Sequence, residues 1–196
     1  MKLPDAMEVL VNELSDELVV TNISSVSRFL YAARDRDRNL YSIIMGLASS
    51  VGLGLALALP QKKVLALDGD GSLLMNLGSL ASIANENPSN FILVVFDNEL
   101  YEGGGGHLSP TAGKTDLRTI GQGAGIKNSF LVRDLGEFKG QVKRALAADE
   151  LTFIVAKVER AAEPRPVIGV HRIEQTYRFR RALKDEGLIP PWYEFR

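Results

Sequence analysis

The chain has 196 residues, 45% hydrophobic and 24% charged, with 23 Lys and Arg against 24 Asp and Glu. That length and apolar fraction give one substantial core and one main domain, and the even charge balance removes the electrostatic signature of a nucleic-acid binder. With no cysteine, disulfides, thiolate nucleophiles and Cys-based metal sites are excluded, which fits a cytoplasmic protein.

In chain order, "DAMEVLVNELSDEL" puts Met7, Leu10, Leu14 and Leu18 on a helical repeat, with Asp5 available to cap its first turn. "LVVTNI" reads as a short strand, residues 24–31 as a helix or a turn, and "RDRDRN" as a charged surface connection. Residues 43–60, "IIMGLASSVGLGLALALP", come nearest to a membrane span, yet they hold three glycines and two serines and run into a charged strand-turn. They read instead as a buried helix over 45–59 that stops at Pro60. "KVLALD" is a fully buried strand, followed by a helix over 72–86. "NFILVVFD" is the next strand, and 97–118 is a glycine-rich loop. Then come a short helix "LRTIGQGAGI", a strand "SFLVRD", a helix "LGEFKGQVKRALAAD" and a closing strand "LTFIVAKVE".

This alternation predicts an α/β fold, a three-layer αβα sandwich with a mostly parallel sheet, whose functional loops gather at the carboxyl ends of the strands. It divides the chain into a domain over 1–160 and a tail over 161–196 with one helical piece near 172–186. From residue 160 onward eight Lys and Arg face five Asp and Glu, too weak a bias to name a nucleic acid, so the tail is expected to be a subunit-contact arm. Its aromatic residues Tyr177, Phe179, Trp192, Tyr193 and Phe195 either pack on another subunit or close this domain's own core.

The chemistry concentrates in "LALDGDGSLLMNLGSL" and "FDNELYEGGGG". Asp70 stands between Gly69 and Gly71 where an apolar strand ends, and Gly71 and Ser72 then open a helix whose free amides favour a phosphate. A carboxylate alone repels that phosphate, whereas a hard cation such as Mg²⁺ reverses the sign and bridges protein and ligand. Asp70 offers one ligand, Asn98 at the end of the next strand an amide oxygen, and the backbone near Leu100 a carbonyl. The plainer reading has Asp70 and Ser72 capping a helix and Asn98 closing a turn. No lysine follows the glycines as in a Walker loop, and their spacing is not the dinucleotide fingerprint.

"GDGSLLMNLGSLASIANENPSNFILVVFDN" resembles the thiamine diphosphate signature, a GDG followed after about thirty residues by Asp-Asn or Asn-Asn. "MGLASSVGLGLALA" resembles the glycine-rich helix that precedes it. Residues 8–158 are similar to the diphosphate-binding domain of thiamine diphosphate-dependent decarboxylases, in the branch of sulfopyruvate decarboxylase beta subunits and phosphonopyruvate decarboxylases.

The resemblance implies the thiamine diphosphate-binding fold, thiamine diphosphate and Mg²⁺ as cofactors, and the metal held by Asp70, Asn98 and the Leu100 carbonyl. It places Gly69, Gly71 and Ser72 around the diphosphate and Met45 beneath the cofactor, where the residues alone read Met45 as core. The implied reaction is decarboxylation of a small anionic 2-oxo acid at the cofactor's thiazolium ring. In the family a glutamate from a pyrimidine-binding domain activates the cofactor. This chain is too short to hold that domain as well, which implies an alpha-type partner subunit in a hetero-oligomer. The loop after Asn98 supplies His107 and Glu102 as candidate catalytic residues and Tyr101 as a candidate cofactor contact, with Ser109 and Thr111 as weaker candidates. His107 offers an imidazole that titrates near neutrality; the alternative is an ordinary surface loop. The other functional readings are an acetolactate-synthase-like carboligase component and a non-catalytic cofactor-binding regulatory subunit.

Overall fold

The computed structural model describes residues 1–160 and 166–189. Its strands are β1 (Leu18–Asn22), β2 (Asn39–Ile43), β3 (Val64–Gly69), β4 (Phe91–Asp97), β5 (Leu100–Tyr101), β6 (His107–Leu108), β7 (Ser129–Val132) and β8 (Thr152–Lys157). The helices are α1 (Leu3–Glu13), α2 (Ser25–Ala33), α3 (Ala48–Ala58), α4 (Asp70–Leu74), α5 (Gly78–Glu86), α6 (Leu117–Ala124), α7 (Leu135–Ala147) and α8 (Arg172–Asp185). Six strands make one sheet in the order β2-β1-β3-β4-β8-β7, every neighbouring pair parallel, while β5 and β6 form a separate antiparallel hairpin.

The strands are apolar on both faces because both faces are covered. Val19, Leu65, Leu67 and Val94 point into a core shared with α1, α2 and α7, and Leu18, Val64, Ala66 and Leu93 into one shared with α3, α5, α6 and α8. Each such buried side chain contributes about 1.5–3 kcal/mol of transfer free energy. Helix α3 lies so near the sheet that a Cβ on Gly52 would come within 2.8 Å of both Ala66 Cβ and the Phe91 ring. Among the described residues no helix is long and apolar enough to cross a membrane.

Several local expectations need correction. The "charged connection" runs into edge strand β2, and α3 begins at Ala48 rather than at residue 45, because Gly46 takes a φ of +83° that ends any helix. Met45 therefore sits in the turn between β2 and α3. The helix expected over 72–86 is two helices, α4 and α5, and α1 is capped by Lys2 with no side-chain bond, Asp5 lying inside its first turn. Leu18 belongs to β1, not to α1. In the tail, α8 packs on this chain's own sheet: Phe179 and Leu183 are buried in the second core, while Tyr177 is 63% exposed. Arg178 pairs with Asp35 at 3.0 Å and Asp37 at 2.7 Å, and Arg38 with Glu186 at 2.6 Å, fixing α8 to the connection before β2. Trp192, Tyr193 and Phe195 lie outside the described residues.

Candidate functional site

From β1 the chain steps first to β2 on one side and then to β3 on the other, so the strand order reverses between β1 and β3. A crevice forms outside the carboxyl ends of strands at such a point. Here it is lined by Asn22–Val26 after β1, Met45 after β2, Gly69–Ser72 after β3, and Asn98, Leu100, Glu102 and Gly103 after β4. Asp70 and Asn98 step off neighbouring strands whose register pairs Gly69 with Phe96.

A Cβ on Gly71 would stand 2.6 Å from Tyr101 Cδ1 and 3.3 Å from the Leu100 carbonyl oxygen, so glycine is what lets the β5–β6 hairpin lie against the acidic turn. That contact sets the Leu100 carbonyl against the turn that carries Asp70, while the Leu100 N–H donates to Asn98 Oδ1 at 3.1 Å. Ser72 and Asn76 fix the Met45 turn: the Gly46 N–H donates to Ser72 Oγ at 2.9 Å, and Asn76 Nδ2 donates to the Gly46 carbonyl at 2.8 Å. Met45 Sδ lies 3.6 Å from where a Cβ on Gly103 would sit.

The carboxylates are buried and partly answered. Ser109 Oγ donates to Asp70 Oδ2 at 2.5 Å, Thr111 Oγ1 lies 3.1 Å from the same oxygen and 2.8 Å from Asp97 Oδ1, and Lys157 Nζ reaches Asp97 Oδ2 at 3.0 Å. Burial pushes the Asp70 carboxyl above its usual range against the pull of Ser109, and the charge of Asp97 pushes it further. Asp68, which leaves β3 just before the turn, is fully buried; Gly69 donates to its Oδ1 at 2.9 Å, Oδ2 has no hydrogen-bond partner among the described residues, and burial raises its pKa to about 7.

Glu102 crosses the cleft. Ser25, the first residue of α2, donates from Oγ to its Oε2 at 2.5 Å, and Asn98 Nδ2 donates to its Oε1 at 2.6 Å. The chain's own carboxylate thus occupies one hydroxyl donor at the start of α2 and one amide donor after β4, in the manner of a bound anion. The space left for water is about 30 Å³. Among the described residues no group of three His, Cys, Asp or Glu gathers as a metal site. The oxygens present, one carboxylate with an amide and a carbonyl, suit a hard cation completed by phosphate and water.

His107 does not line this cleft; it is exposed on β6 opposite Tyr101. Glu99 turns away to Lys157 at 2.7 Å and Arg160 at 2.6 Å, with a left-handed φ of 63°. Sequence reasoning missed Asn22, Ser24 and Ser25, although polar residues directly after "LVVT" are the signal that strand ends carry the site. Ser109 and Thr111, ranked as weaker candidates, are the residues that hold Asp70.

The thiamine pyrophosphate enzyme, C-terminal TPP binding domain, family matches residues 24–156. The sulfopyruvate decarboxylase subunit beta of Methanocaldococcus jannaschii is 40% identical over 182 residues, 92% of this chain and 96% of that one. The sulfopyruvate decarboxylase of Methanosarcina acetivorans is 38% identical over 180 residues, which are 91% of this chain but 46% of that longer one. Among solved structures, benzoylformate decarboxylase from Polynucleobacter necessarius shares the fold with a TM-score of 0.67 at 22% identity, over 83% of this chain and 33% of that one. The chain belongs to the thiamine pyrophosphate enzyme family and carries its C-terminal TPP-binding domain.

Proposed function

We propose that this chain is the beta-type component of a thiamine diphosphate- and Mg²⁺-dependent decarboxylase acting on a small anionic 2-oxo acid, sulfopyruvate- or phosphonopyruvate-like. The observation that carries the reading is the convergence of Asp70, Asn98, the Leu100 carbonyl and the Gly69–Ser72 turn on one cleft at the strand-order reversal. The likeness to a sulfopyruvate decarboxylase beta subunit along nearly its whole length supports the substrate class.

When bound, thiamine diphosphate supplies the nucleophilic carbon and the electron sink that loss of CO2 from a 2-oxo acid requires. Asp70, Asn98 and the Leu100 carbonyl would hold the cation, and Gly71 and Ser72 would receive the diphosphate on backbone amides, with Gly69 beside them committed to Asp68. Met45, in a turn pinned by Ser72 and Asn76, would give the cofactor an apolar contact in the cleft. Glu102 holds Ser25 Oγ and Asn98 Nδ2, donors for which an anion bound in the cleft would compete, and the four glycines after it would let the loop give them up. Once displaced, Glu102 and His107 are the loop groups available to orient substrate or move a proton. Tyr101 holds the hairpin on the Gly71 turn.

A separate pyrimidine-binding chain completes the site. Ile23, Ile44, Met75 and Leu108, 40%, 64%, 62% and 61% exposed, follow β1, β2 and α4 or lie on β6, leaving an apolar rim for another protein. The longer Methanosarcina relative supports the same division, because this chain corresponds to under half of it. Ile173 and Tyr177 on the outer face of α8 are the described part of the tail still open to a subunit contact.

The test is reconstitution. Alone, the chain binds thiamine diphosphate with Mg²⁺ but does not decarboxylate sulfopyruvate; adding a pyrimidine-binding partner restores turnover. Full turnover by the lone chain contradicts the split site, and a carboligated product in place of an aldehyde assigns the chain to the synthase-like reading. Cofactor binding without turnover beside every partner assigns it a regulatory role.

A further inference from the structure

Behind the cleft, Lys157, Asp97, Thr111, Asp70, Ser109 and Glu99 close a hydrogen-bonded ring that brackets Asn98. The parallel register of β4 and β8 sets Asp97 beside Lys157, whose Nζ reaches Asp97 Oδ2 at 3.0 Å and, past Asn98, Glu99 Oε1 at 2.7 Å. On the Asp97 side, Thr111 Oγ1 lies 2.8 Å from Asp97 Oδ1 and 3.1 Å from Asp70 Oδ2. On the Glu99 side, the Ser109 N–H donates to the Glu99 carbonyl at 2.9 Å and Ser109 Oγ donates to Asp70 Oδ2 at 2.5 Å. Both routes from Lys157 therefore end on the same oxygen of Asp70. Of the ring, only Asp70 lines the cleft.

Two features show that the ring imposes a geometry. Glu99 takes a left-handed φ of 63°, which a non-glycine residue keeps only where its surroundings hold it. Its holders are Lys157 and Arg160 on the side chain and Asp97 Oδ1, which accepts the Glu99 N–H at 3.1 Å. The turn so fixed is the one in which the Leu100 N–H meets Asn98 Oδ1. The second feature is at Asp70: both hydroxyls fall on Oδ2, and no side-chain donor among the described residues meets Oδ1. One carboxylate oxygen is thus left for an ion. Burial pulls the Lys157 ammonium down, but Glu99 and Asp97 outweigh it and hold it above its usual range, so the bridge stays charged.

We propose that Lys157, from outside the cleft, is the positioning residue of the cation site: by bridging Asp97 and Glu99 it fixes Asn98 between them and Asp70 beyond them. The inference rests on the reading of Asp70, Asn98 and the Leu100 carbonyl as the cation's ligands. Outer partners of this kind orient the groups that touch the metal and tune its affinity. The consequence is selectivity. A rigid site that offers a single carboxylate oxygen suits Mg²⁺, which demands near-ideal octahedral geometry, over Ca²⁺, which takes a larger, looser shell and often both oxygens of a carboxylate.

The test is calorimetry of thiamine diphosphate binding to the full chain, once with Mg²⁺ and once with Ca²⁺. Lys157→Met should lower the Mg²⁺-supported affinity by about tenfold to a hundredfold. The Ca²⁺-supported affinity should fall by no more than about threefold, so the ratio of the two drops. Because Lys157→Met leaves Asp97 buried and uncompensated, D97N/K157M is measured beside it; it removes both charges, spares the fold that penalty and should show the same drop in ratio. Lys157→Arg keeps a cation able to span two carboxylates and should bring the ratio back to within about threefold of the parent's. A ratio unchanged in K157M and D97N/K157M, equal losses with both ions included, overturns the proposal and makes Lys157 a structural residue. A ratio that K157R fails to restore overturns it as well. Absence of Mg²⁺-dependent binding in the parent chain is a distinct result, which removes the cation reading and this inference with it.

Discussion

The two ends of the same two strands obey different physics. At their amino ends β3 and β4 bury Val64, Leu65, Phe91 and Ile92 among other hydrocarbon side chains. At or just past their carboxyl ends Asp68, Asp70, Asp97 and Asn98 are 0%, 1%, 3% and 9% exposed, and one Asp68 oxygen has no hydrogen-bond partner among the described residues. The first arrangement stabilises the fold outright. The second costs stability in the absence of a cation and is retained where a ligand repays it.

The strongest way to break that contrast is at Asp70. Asp70→Asn keeps the bonds from Ser109 and Thr111 within reach but removes the charge, so calorimetry should show Mg²⁺-dependent cofactor affinity falling by about a hundredfold or more. The ligand-free melting temperature should be no lower than that of the parent. Loss of stability with unchanged affinity would make Asp70 a structural residue.

Paired glycine substitutions sharpen the comparison. Gly52→Ala forces a Cβ to within 2.8 Å of Ala66 and Phe91 on the apolar side, and should cost about 1–3 kcal/mol in denaturant unfolding with no change in cofactor affinity of the folded fraction. Gly71→Ala meets the Tyr101 ring at 2.6 Å, next to the site. It should weaken cofactor binding by about tenfold with a smaller stability loss, because the hairpin lies at the surface and not in the core, and Tyr101→Ala in the same chain should recover part of the binding.

The contrast also explains what was legible in the sequence. The GDG turn and the Asp-Asn pair stood out because buried polar residues directly after an apolar run have no packing explanation, and the parallel sheet followed from strands apolar on both faces. Strand β2 was hidden because Asn39–Ile43 is short, half-buried and preceded by five residues that read as charged surface. Their arginines bond to carbonyls of the α1–β1 connection, such as Arg36 to Ser15 at 3.0 Å, a long-range pairing that local pattern does not encode. The Met45 turn was hidden by composition: the apolar run across it has no periodicity to mark Gly46 as the break. Glu102 illustrates the same limit, since its contact with Ser25 spans 77 residues.

The smallest effect lies at the rim, where α8 is fastened by ion pairs. Burial raises the Asp37 and Glu186 carboxyls, but Arg178 and Arg181 on the first, and Lys62 and Arg38 on the second, outweigh it and hold both below their usual range. A depressed folded pKa stabilises above the unfolded value near pH 4 and loses that contribution as pH falls through the folded value. Acidification below about pH 4, or high salt at neutral pH, should therefore raise amide exchange in α8 before the central strands. Simultaneous release of α8 and β3 would show that α8 is part of the core unit.

The most direct test of the central claim is ¹H–¹⁵N NMR of the chain saturated with thiamine diphosphate, comparing Mn²⁺ with Mg²⁺. A cation held by Asp70, Asn98 and the Leu100 carbonyl should broaden the Gly71 and Tyr101 amides beyond detection, and Asp70→Asn should leave them sharp. Tight cofactor binding with those amides still sharp in the presence of Mn²⁺, or equal broadening in the variant, would contradict it.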